Sequence, residues 1–268
     1  MSNMGIDSNV RHLNVAGTDV ALSLTERGEG RPVLLLHGGA GPQSVGAFAE
    51  LLASSASVRV FTPTHPGFAA TPRPDSLESA RGLAVLYCEL LIELGLHDVI
   101  VVGNSLGGWI AAEMALVDPT RLAGLVLVDA VGIEVPDHPV VDFFSLTLDQ
   151  VAQLSYHDPV AFRIDPDALP APVRAAMPGN REALKVYGGA TMVDPGLAGR
   201  LEEVATPTLV LWGESDQIAD ADYGRAFAAA IPGARFQLLM ETGHVPQIET
   251  PGLLAEAITA FSGSLATA

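Results

Sequence analysis

The stretch VVGNSLGGW (residues 101–109) joins an apolar run to a helix-like run through one serine that has glycines on both sides. Its centre, GNSLG at residues 103–107, matches the pattern G-x-S-x-G, which is a weak signal by itself. The position of the motif in the chain makes the signal specific, because the motif follows the apolar run 99–102 and opens a helix. So sharp a turn forces Ser105 into a strained backbone conformation, and the flanking glycines leave room where Cβ atoms would collide. We therefore predict a nucleophilic hydroxyl that projects above the sheet at a helix amino terminus, the alternative being a plain glycine-rich turn.

Composition restricts the class of protein. The chain has 268 residues, with 31 acidic against 14 basic side chains and a formal net charge of -17. This scattered negative charge repels nucleic acid and anionic membrane surfaces, so we expect a small-molecule partner. Cys88 is the only cysteine, which excludes an internal disulfide and a cysteine-based zinc site. No apolar run approaches the roughly 18 residues of a membrane span, and no signal-peptide pattern opens the chain, so a cytoplasmic location is expected.

Eight strands are predicted along the chain. Two short alternating segments, residues 10–15 and 19–25, indicate an opening hairpin. Continuous apolar runs follow, which are typical of strands covered on both faces. These runs span residues 33–39, 58–63, 98–103, 122–130, 206–213 and 234–240. Because helical periods lie between them, the fold class is α/β, with a mostly parallel eight-stranded sheet and helices on both faces.

Helices are predicted where apolar residues recur at a spacing of three and four. The strongest pattern begins at Asp75, which can cap the first turn with Glu78 three residues later, and ends at Gly95. The predicted helices cover residues 75–95, 106–116, 222–230 and 253–261.

One long segment breaks the alternation of strand and helix. Residues 133–204 contain no convincing strand, and their apolar residues recur at helical spacing among several prolines. Connections longer than about 15 residues are uncommon inside a compact domain unless they have a role. We therefore predict a helical cap, or lid, at 133–204, inserted into a core formed by 1–132 and 205–268; an irregular connection is the alternative.

A serine nucleophile needs a base, and the chain offers seven histidines. His244 lies on a glycine-flanked loop after the last predicted strand, which would put it at the carboxyl edge of the sheet. An ordinary imidazole pKa of about 6.5 suits proton transfer near neutral pH. His37 ends a buried strand and is predicted to organise the following loop, while His65 lies in a loop that can border the site. His244 is therefore the predicted base.

The acid that orients the base should also follow a strand. Asp216 comes shortly after the run 206–213, and Gly213 allows a turn that returns the carboxylate over the sheet. Asp129 ends another predicted strand and is the second candidate, with a loop cap as its alternative role. Glu214 ranks behind both. Asp216 is therefore the predicted acid.

Several motifs in sequence order resemble the α/β-hydrolase superfamily, in particular its lidded serine hydrolases. They are HGG at residues 37–39, HPGFAATPRP at 65–74, the serine turn, WGESD at 212–216 and GHVPQIE at 243–249. The order Ser105, Asp216, His244 is also that of this superfamily. The resemblance covers nearly the whole chain and implies an eight-stranded, mostly parallel sheet with a helical cap.

The resemblance also implies a mechanism. Ser105 would attack a carbonyl to give an acyl-enzyme, and water activated by His244 would hydrolyse it, without a metal or an organic cofactor. The oxyanion hole would consist of the backbone N–H of Leu106 and one from the region of Gly39 and Ala40. The glycines of GGAG give that loop the torsions such donors need, although a bare strand-to-helix turn is the alternative.

The substrate is predicted as a small, mainly apolar carboxylic ester or lactone. Trp109, Phe143 and Phe144 are the best candidates for an apolar pocket, the alternative being packing within the cap. HGGAG at residues 37–41 also resembles the superfamily's C–C bond hydrolases, which act on meta-cleavage keto acids. Those hydrolases typically carry tryptophan directly after the catalytic histidine, where this chain has Val245, so C–C hydrolysis is the second hypothesis.

Two further alternatives remain from the sequence. Three cap arginines, Arg163, Arg174 and Arg181, could bind a substrate carboxylate, although such arginines are more often solvated or paired with nearby acids. A protein that retains the fold but only binds a ligand is the third hypothesis, since a fold does not fix function. The oligomeric state is left open.

Overall fold

The predicted eight-stranded sheet is present. The computed structural model describes residues 7–162 and 165–265, and eight strands within them form a single sheet. The strands are β1 (Asp7–Val15), β2 (Thr18–Gly28), β3 (Arg31–Leu36), β4 (Val58–Pro63), β5 (Val99–Asn104), β6 (Leu122–Val128), β7 (Thr208–Gly213) and β8 (Arg235–Leu239).

The strand order is β1-β2-β4-β3-β5-β6-β7-β8. Strand β2 runs antiparallel to both β1 and β4, and all other neighbours are parallel. The carboxyl ends of β3, β5, β6, β7 and β8 therefore meet at one edge of the sheet. Loops that leave this edge can converge, which is where ligands bind in open α/β sheets.

Helices fill the connections between the strands. They are α1 (Gln43–Ser55), α2 (Ala80–Glu93), α3 (Leu106–Val117), α4 (Leu148–Ser155), α5 (Pro159–Phe162), α6 (Ala171–Gly188), α7 (Leu197–Leu201), α8 (Ala221–Ala229), α9 (Pro246–Glu249) and α10 (Pro251–Ser264). Within the described ranges, none of them combines the length and apolar character needed to cross a membrane.

The predicted start of helix α2 is wrong. Asp75 lies in a turn closed by a hydrogen bond from Leu77 N to Pro74 O (3.0 Å). Ser79 is the cap instead, because its side chain accepts a hydrogen bond from Gly82 N at 3.1 Å. A serine one turn later thus provides the side-chain acceptor that the sequence pattern assigned to the aspartate.

Helix α1 is not among the predicted helices. Its buried side chains include Val45, Phe48, Ala49 and Leu52, which follow the three-and-four spacing of an amphipathic helix. This helical spacing of apolar residues was visible in the sequence, between the glycine-rich loop at residues 37–41 and β4. Helix α1 covers the face of the sheet opposite to that covered by α2 and α3.

The core has two layers, one on each face of the sheet. Side chains alternate along β3, so that Val33 and Leu35 pack with α1 and α10 while Leu34 and Leu36 pack with α2 and α3. Successive residues of a strand point to opposite faces, and both faces are buried. Such a sheet holds the loops at its carboxyl edge on a rigid base.

The long connection between β6 and β7 carries helices α4 to α7. Among its described residues, strand-like pairing is limited to a bridge between Gly132 and Val193. Helix α6 is 18 residues long and includes Pro178. This segment supplies contacts to the carboxyl edge of the sheet, described below.

Candidate active site

Ser105 lies at the turn between β5 and α3 in a backbone conformation that side chains rarely adopt. Its φ is 54° and its ψ is −118°. The backbone N–H of Ser105 donates to Val128 O at 2.9 Å, which fixes the turn against the end of β6. A Cβ on Gly103 would lie 2.1 Å from Gly107 O, so the tight reversal requires glycine at residue 103. This is the geometry of a nucleophile elbow.

His244 and Asp216 form a buried pair at the same edge of the sheet. His244 Nδ1 lies 2.7 Å from Asp216 Oδ2, with 8% and 3% of the two residues exposed. Asp216 Oδ1 accepts hydrogen bonds from Ile218 N at 2.7 Å and Ala219 N at 3.2 Å. With Nδ1 as donor to the carboxylate, Nε2 of the imidazole is left as a proton acceptor.

Asn104 connects the serine turn to the histidine loop. Its Nδ2 donates to His244 O at 2.9 Å and to Val128 O at 3.3 Å, and its Oδ1 accepts from Gln247 Nε2 at 3.0 Å. The residue before Ser105 is thus hydrogen-bonded to the backbone of the predicted base. The sequence interpretation missed this role, although a polar side chain ending an apolar strand was a visible signal.

The loop that follows β3 is held by a pair of buried histidines. His37 Nδ1 donates to Gly38 O at 2.8 Å, and His65 N donates to His37 Nε2 at 3.2 Å. His65 Nε2 in turn donates to His37 O at 2.8 Å, while Tyr87 Oη hydrogen-bonds His65 Nδ1. Because both imidazoles are fully partnered in the neutral form, they organise this loop.

Burial keeps both imidazoles neutral. Desolvation lowers the pKa of His37 to about 4, against a weaker opposing effect from its hydrogen bond to Gly38 O. Desolvation and the neighbouring His37 hold the pKa of His65 well below its usual value. A base in the reaction must titrate near the working pH, so these two histidines are poor candidates for that role.

The predicted oxyanion residues lie next to this network. The carbonyl of Gly38 points to the His37 ring, so the N–H of the same peptide, which belongs to Gly39, points the opposite way. A Cβ on Gly38 would lie 2.9 Å from Ser105 Cβ, so this loop directly contacts the serine. Leu106 is the first residue of α3, and Ala40 continues the loop.

Asp129, the second candidate acid, lies in the same cluster. Its side chain is completely buried, and its Oδ1 accepts from Gly213 N at 2.7 Å. Side-chain atoms of Asp129, Asp216 and His244 lie within 4.8 Å of one another, a spacing that metal ligands could have. The Asp216 oxygens already accept two backbone N–H groups and face the imidazole, so hydrogen bonding accounts for this cluster.

The connection 133–204 is hydrogen-bonded to the loops that carry the acid and the histidine. Ser155 O accepts from His244 N at 2.7 Å, and Leu154 O accepts from Gln217 N at 3.0 Å. A Cβ on Gly243 would lie 2.2 Å from Ser155 O, so glycine is needed for this close approach. The end of α4 therefore contributes to the position of the imidazole.

Glu249 on α9 bridges the same two segments. Its Oε1 accepts from Asp158 N at 2.9 Å, and its Oε2 accepts from Gly243 N at 2.6 Å. One carboxylate thus joins the turn between α4 and α5 to the residue before His244. The sequence interpretation did not identify Glu249, because this role depends on contacts between distant parts of the chain.

The three predicted pocket residues occupy different environments. Trp109 is 5% exposed, and its ring lies against Gly132 and near Gly188. Phe143 and Phe144 are half-buried, with ring centroids 4.6 Å apart. Phe144 also lines a groove of about 470 Å³ on the connection 133–204. A substrate-binding role for these residues stays a prediction.

Two of the three arginines in the predicted cap have protein partners among the described residues. Arg181 Nη2 donates to Phe143 O at 3.1 Å and also to Phe144 O, and its guanidinium lies over the Phe144 ring at 5.6 Å. Arg174 pairs with Asp167 at 3.3 Å. Arg163 lies outside the described residues. The first two guanidinium groups thus have roles in holding the connection together.

Sequence comparison identifies the family. A model described as "Alpha/beta hydrolase family" matches residues 33–257, which include the serine turn and the loops of Asp216 and His244. The chain belongs to the alpha/beta hydrolase family. It is therefore an enzyme, which argues against the hypothesis of a protein that only binds a ligand, and its fold is the α/β-hydrolase fold that the sequence predicts.

Individual relatives of this alpha/beta hydrolase carry different activities in their names. The chain is 27% identical over 276 residues to 2-hydroxymuconate semialdehyde hydrolase of Pseudomonas putida, with 89% of each chain covered. It is 27% identical to Lipase 1 of Psychrobacter immobilis, covering 97% of this chain and 86% of that one. A solved esterase from Thermogutta terrifontis superposes with a TM-score of 0.77 at 24% identity, covering 97% and 100%, a likeness of fold.

Proposed function

We propose that this hydrolase cleaves a small, mainly apolar carboxylic ester or lactone by nucleophilic catalysis at Ser105. The observation that carries the proposal is the buried contact of 2.7 Å between His244 Nδ1 and Asp216 Oδ2, beside a serine turn bonded through Asn104 to the same histidine loop. A serine hydroxyl is a poor nucleophile unless an oriented base accepts its proton.

The first half of the reaction forms an acyl-enzyme. Ser105 Oγ attacks the carbonyl carbon while His244 Nε2 accepts the hydroxyl proton, and the carbonyl oxygen becomes an oxyanion. The backbone N–H groups of Leu106 and of Gly39 or Ala40 stabilise that charge. When the intermediate collapses, the C–O bond to the alcohol breaks and the imidazolium returns its proton to the leaving oxygen.

The second half releases the acid. His244 accepts a proton from water, whose oxygen attacks the acyl carbon, and collapse of the second oxyanion returns the proton to Ser105 Oγ. Asp216 holds the imidazole in the tautomer with Nδ1–H and stabilises the imidazolium at each stage. Two backbone N–H donors to its Oδ1 keep this carboxylate oriented.

The partners of Arg181, among the described arginines of the cap, favour an uncharged substrate. A keto acid carries a carboxylate, for which an unengaged guanidinium would be the best ligand. Arg181 instead donates to the carbonyls of Phe143 and Phe144. Val245, and not an aromatic residue, follows the histidine.

Hydrolysis of a C–C bond in a vinylogous keto acid is the second candidate function. It is favoured by the similarity to 2-hydroxymuconate semialdehyde hydrolase, which covers 89% of this chain, and by the HGGAG motif at residues 37–41. The two functions share the serine, the acid and the histidine, so only substrate preference separates them.

The experiment is covalent labelling combined with a substrate panel. A fluorophosphonate should form one adduct at Ser105, and Ser105→Ala should lose turnover by as much as about 10⁶-fold while circular dichroism shows an intact fold. Ser54→Ala, an exposed serine on α1, is the matched control. Near-normal turnover by Ser105→Ala would refute the nucleophile.

The panel ranks the two candidate functions. It compares short p-nitrophenyl esters and lactones with a chromogenic ring-fission keto acid at equal concentrations. We expect a higher kcat/KM for the esters or lactones. A strong preference for the keto acid would replace the first function by the second and leave the triad unchanged.

We also propose how the chain is organised and where it acts. Residues 133–204 form a cap on a core of 1–132 and 205–268, supported by the hydrogen bonds from α4 to the histidine loop. A cytoplasmic location and a small-molecule partner agree with the acidic composition.

Burial raises the pKa of the Cys88 thiol to about 12, so this cysteine is an inert packing residue.

A further inference from the structure

Two aspartates lie side by side beneath the histidine, and the reaction needs only one of them. Asp129 follows β6 and Asp216 follows β7, strands that are neighbours in the sheet. Asp129 is 0% exposed and Asp216 is 3% exposed. Side-chain atoms of Asp129, Asp216 and His244 lie within 4.8 Å of one another. Two buried carboxyl groups this close together cannot both be ionised without a large repulsion.

The hydrogen-bond donors distinguish the two carboxyl groups. Asp216 receives donors from Ile218 N, Ala219 N and the His244 ring. Asp129 receives one, from Gly213 N to its Oδ1. Donors to a carboxyl group stabilise its charged form, so the negative charge belongs on Asp216.

The remaining oxygen of Asp129 has no donor. Among the described residues, nothing donates to its Oδ2, although this atom is buried. An ionised oxygen in that position would carry an uncompensated desolvation penalty. A protonated oxygen would be a donor, and the Asp216 carboxylate, within 4.8 Å, would be an acceptor for it.

From this geometry we propose that Asp129 is a neutral carboxylic acid that donates its proton to Asp216, and so positions the carboxylate that orients His244. Burial and the adjacent Asp216 both raise the pKa of Asp129 well above its usual value, in agreement with this assignment. The proposal rests on the proposed function, because a positioning residue acts only through the Asp216–His244 pair.

An ionised Asp129 and a bound cation would each behave differently from a neutral acid. If Asp129 were ionised, it would be a second acid for the imidazole, and a neutral amide could not replace it. If the three side chains bound a divalent cation, chelation would remove activity. The donors already present on Asp216 favour a proton over a cation.

If Asp129 and Asp216 share a proton, turnover should also be limited at alkaline pH. The titratable groups that face Asp129 are Asp216 on the β7 loop and His244 on the β8 loop. When base removes the shared proton, two carboxylates repel each other and the orientation of the imidazole is lost. Turnover should therefore decline on the alkaline side of the profile as the pair ionises.

The test compares Asp129→Ala with Asp129→Asn in the full chain. Asparagine can accept from Gly213 N through Oδ1 and donate to Asp216 through Nδ2, as the neutral acid does. Alanine should lower kcat roughly 10- to 100-fold with little change in KM, and asparagine should restore most of that loss. The alkaline decline caused by the pair should be absent from the Asp129→Asn profile.

Infrared spectroscopy tests the proton without reference to activity. At neutral pH the native protein should have a carbonyl band of a protonated carboxylic acid, and Asp129→Asn should remove it. Asp75→Asn, at a fully exposed aspartate, is the matched control and should leave the band in place. The measurement remains valid if Asp129→Ala fails to fold.

The outcomes separate this proposal from the proposed function. An unchanged infrared band in Asp129→Asn, or the same loss of turnover in both variants, would overturn the neutral acid. Loss of activity on treatment with EDTA would favour the cation instead. Failure of Ser105 to label would overturn the proposed function while leaving the infrared result intact.

Discussion

Ser105 combines an unfavourable backbone conformation with tight packing on every side. A non-glycine residue at a φ of 54° costs of the order of 1–3 kcal/mol. The turn is held by the hydrogen bond from its N–H to Val128 O and by contacts that only glycine permits. These contacts hold the strained turn, and with it Ser105, at the carboxyl edge of the sheet.

Substitution of Gly103 by alanine should destabilise the protein. The added Cβ would lie 2.1 Å from Gly107 O and 2.6 Å from Gly108 N, and because these atoms are backbone, no rotamer change relieves the clash. We expect the free energy of unfolding to fall by about 2 kcal/mol or more. Urea denaturation measures the change.

Gly46→Ala is a matched control, for which we expect the opposite effect on the free energy of unfolding. Gly46 lies in α1, and apart from its chain neighbours and the backbone of its own helix, no described atom lies within 4 Å of a Cβ built on it. Gly46→Ala should therefore raise the free energy of unfolding by up to about 1 kcal/mol, the difference in helix propensity. If both alanines had the same effect, the steric account of Gly103 would be wrong.

The end of helix α4 influences the site through the backbone of the histidine loop. Ser155 O accepts from His244 N, and Glu249 joins Asp158 N to Gly243 N. A displacement of α4 would therefore move the imidazole. The connection 133–204 thus has a role in positioning the His244 imidazole as well as any role in enclosing a substrate.

Glu249→Ala should lower turnover by loosening this attachment. Two hydrogen bonds to a charged group are lost, each worth about 1.5–3 kcal/mol, and we expect kcat to fall about tenfold because the imidazole is less well oriented. Steady-state kinetics and the melting temperature measure the effect. Glu256→Ala, at an exposed glutamate of α10, is the control, and equal kinetics for the two variants would contradict the role of Glu249.

The elements of the fold can largely be predicted from the sequence. Two alternating segments coincide with β1 and β2, and six apolar runs coincide with the other six strands. The exceptions have local causes. Helix α1 is absent from the prediction although Val45, Phe48 and Leu52 follow a helical period, and α2 begins later than predicted because Asp75 and Ser79 are both good caps.

The candidate site could be predicted in part. Ser105, Asp216 and His244 follow strands whose carboxyl ends share one edge, so their proximity follows from a parallel sheet. The positions of Asn104 and Asp129 at strand ends were visible in the sequence, but their hydrogen-bond partners were not, since these depend on which loops face each other across that edge. Sequence spacing carries no information about such contacts between distant segments.

Acid stability of the whole molecule should be limited by the buried histidines. His37 has a pKa of about 4 in the folded protein against about 6.5 in an unfolded chain. Between these values the unfolded chain binds a proton that the folded protein excludes. The free energy of unfolding therefore falls as the pH falls from about 6.5, by about 1.4 kcal/mol per pH unit for one such group, and the loss levels off below pH 4.

His65 adds a contribution in the same direction, because its pKa is also lowered, and it contacts His37 and Tyr87. Urea denaturation at several pH values between 7 and 4.5 measures the slope. Replacement of His37 by glutamine, which does not titrate, should make the slope shallower by about one proton, while His12→Gln, at an exposed histidine, is the matched control. If native protein and His37→Gln lost stability in parallel, His37 would have to be protonated in the fold, and the neutral hydrogen-bond network that holds the Gly38–Gly39 peptide would be wrong.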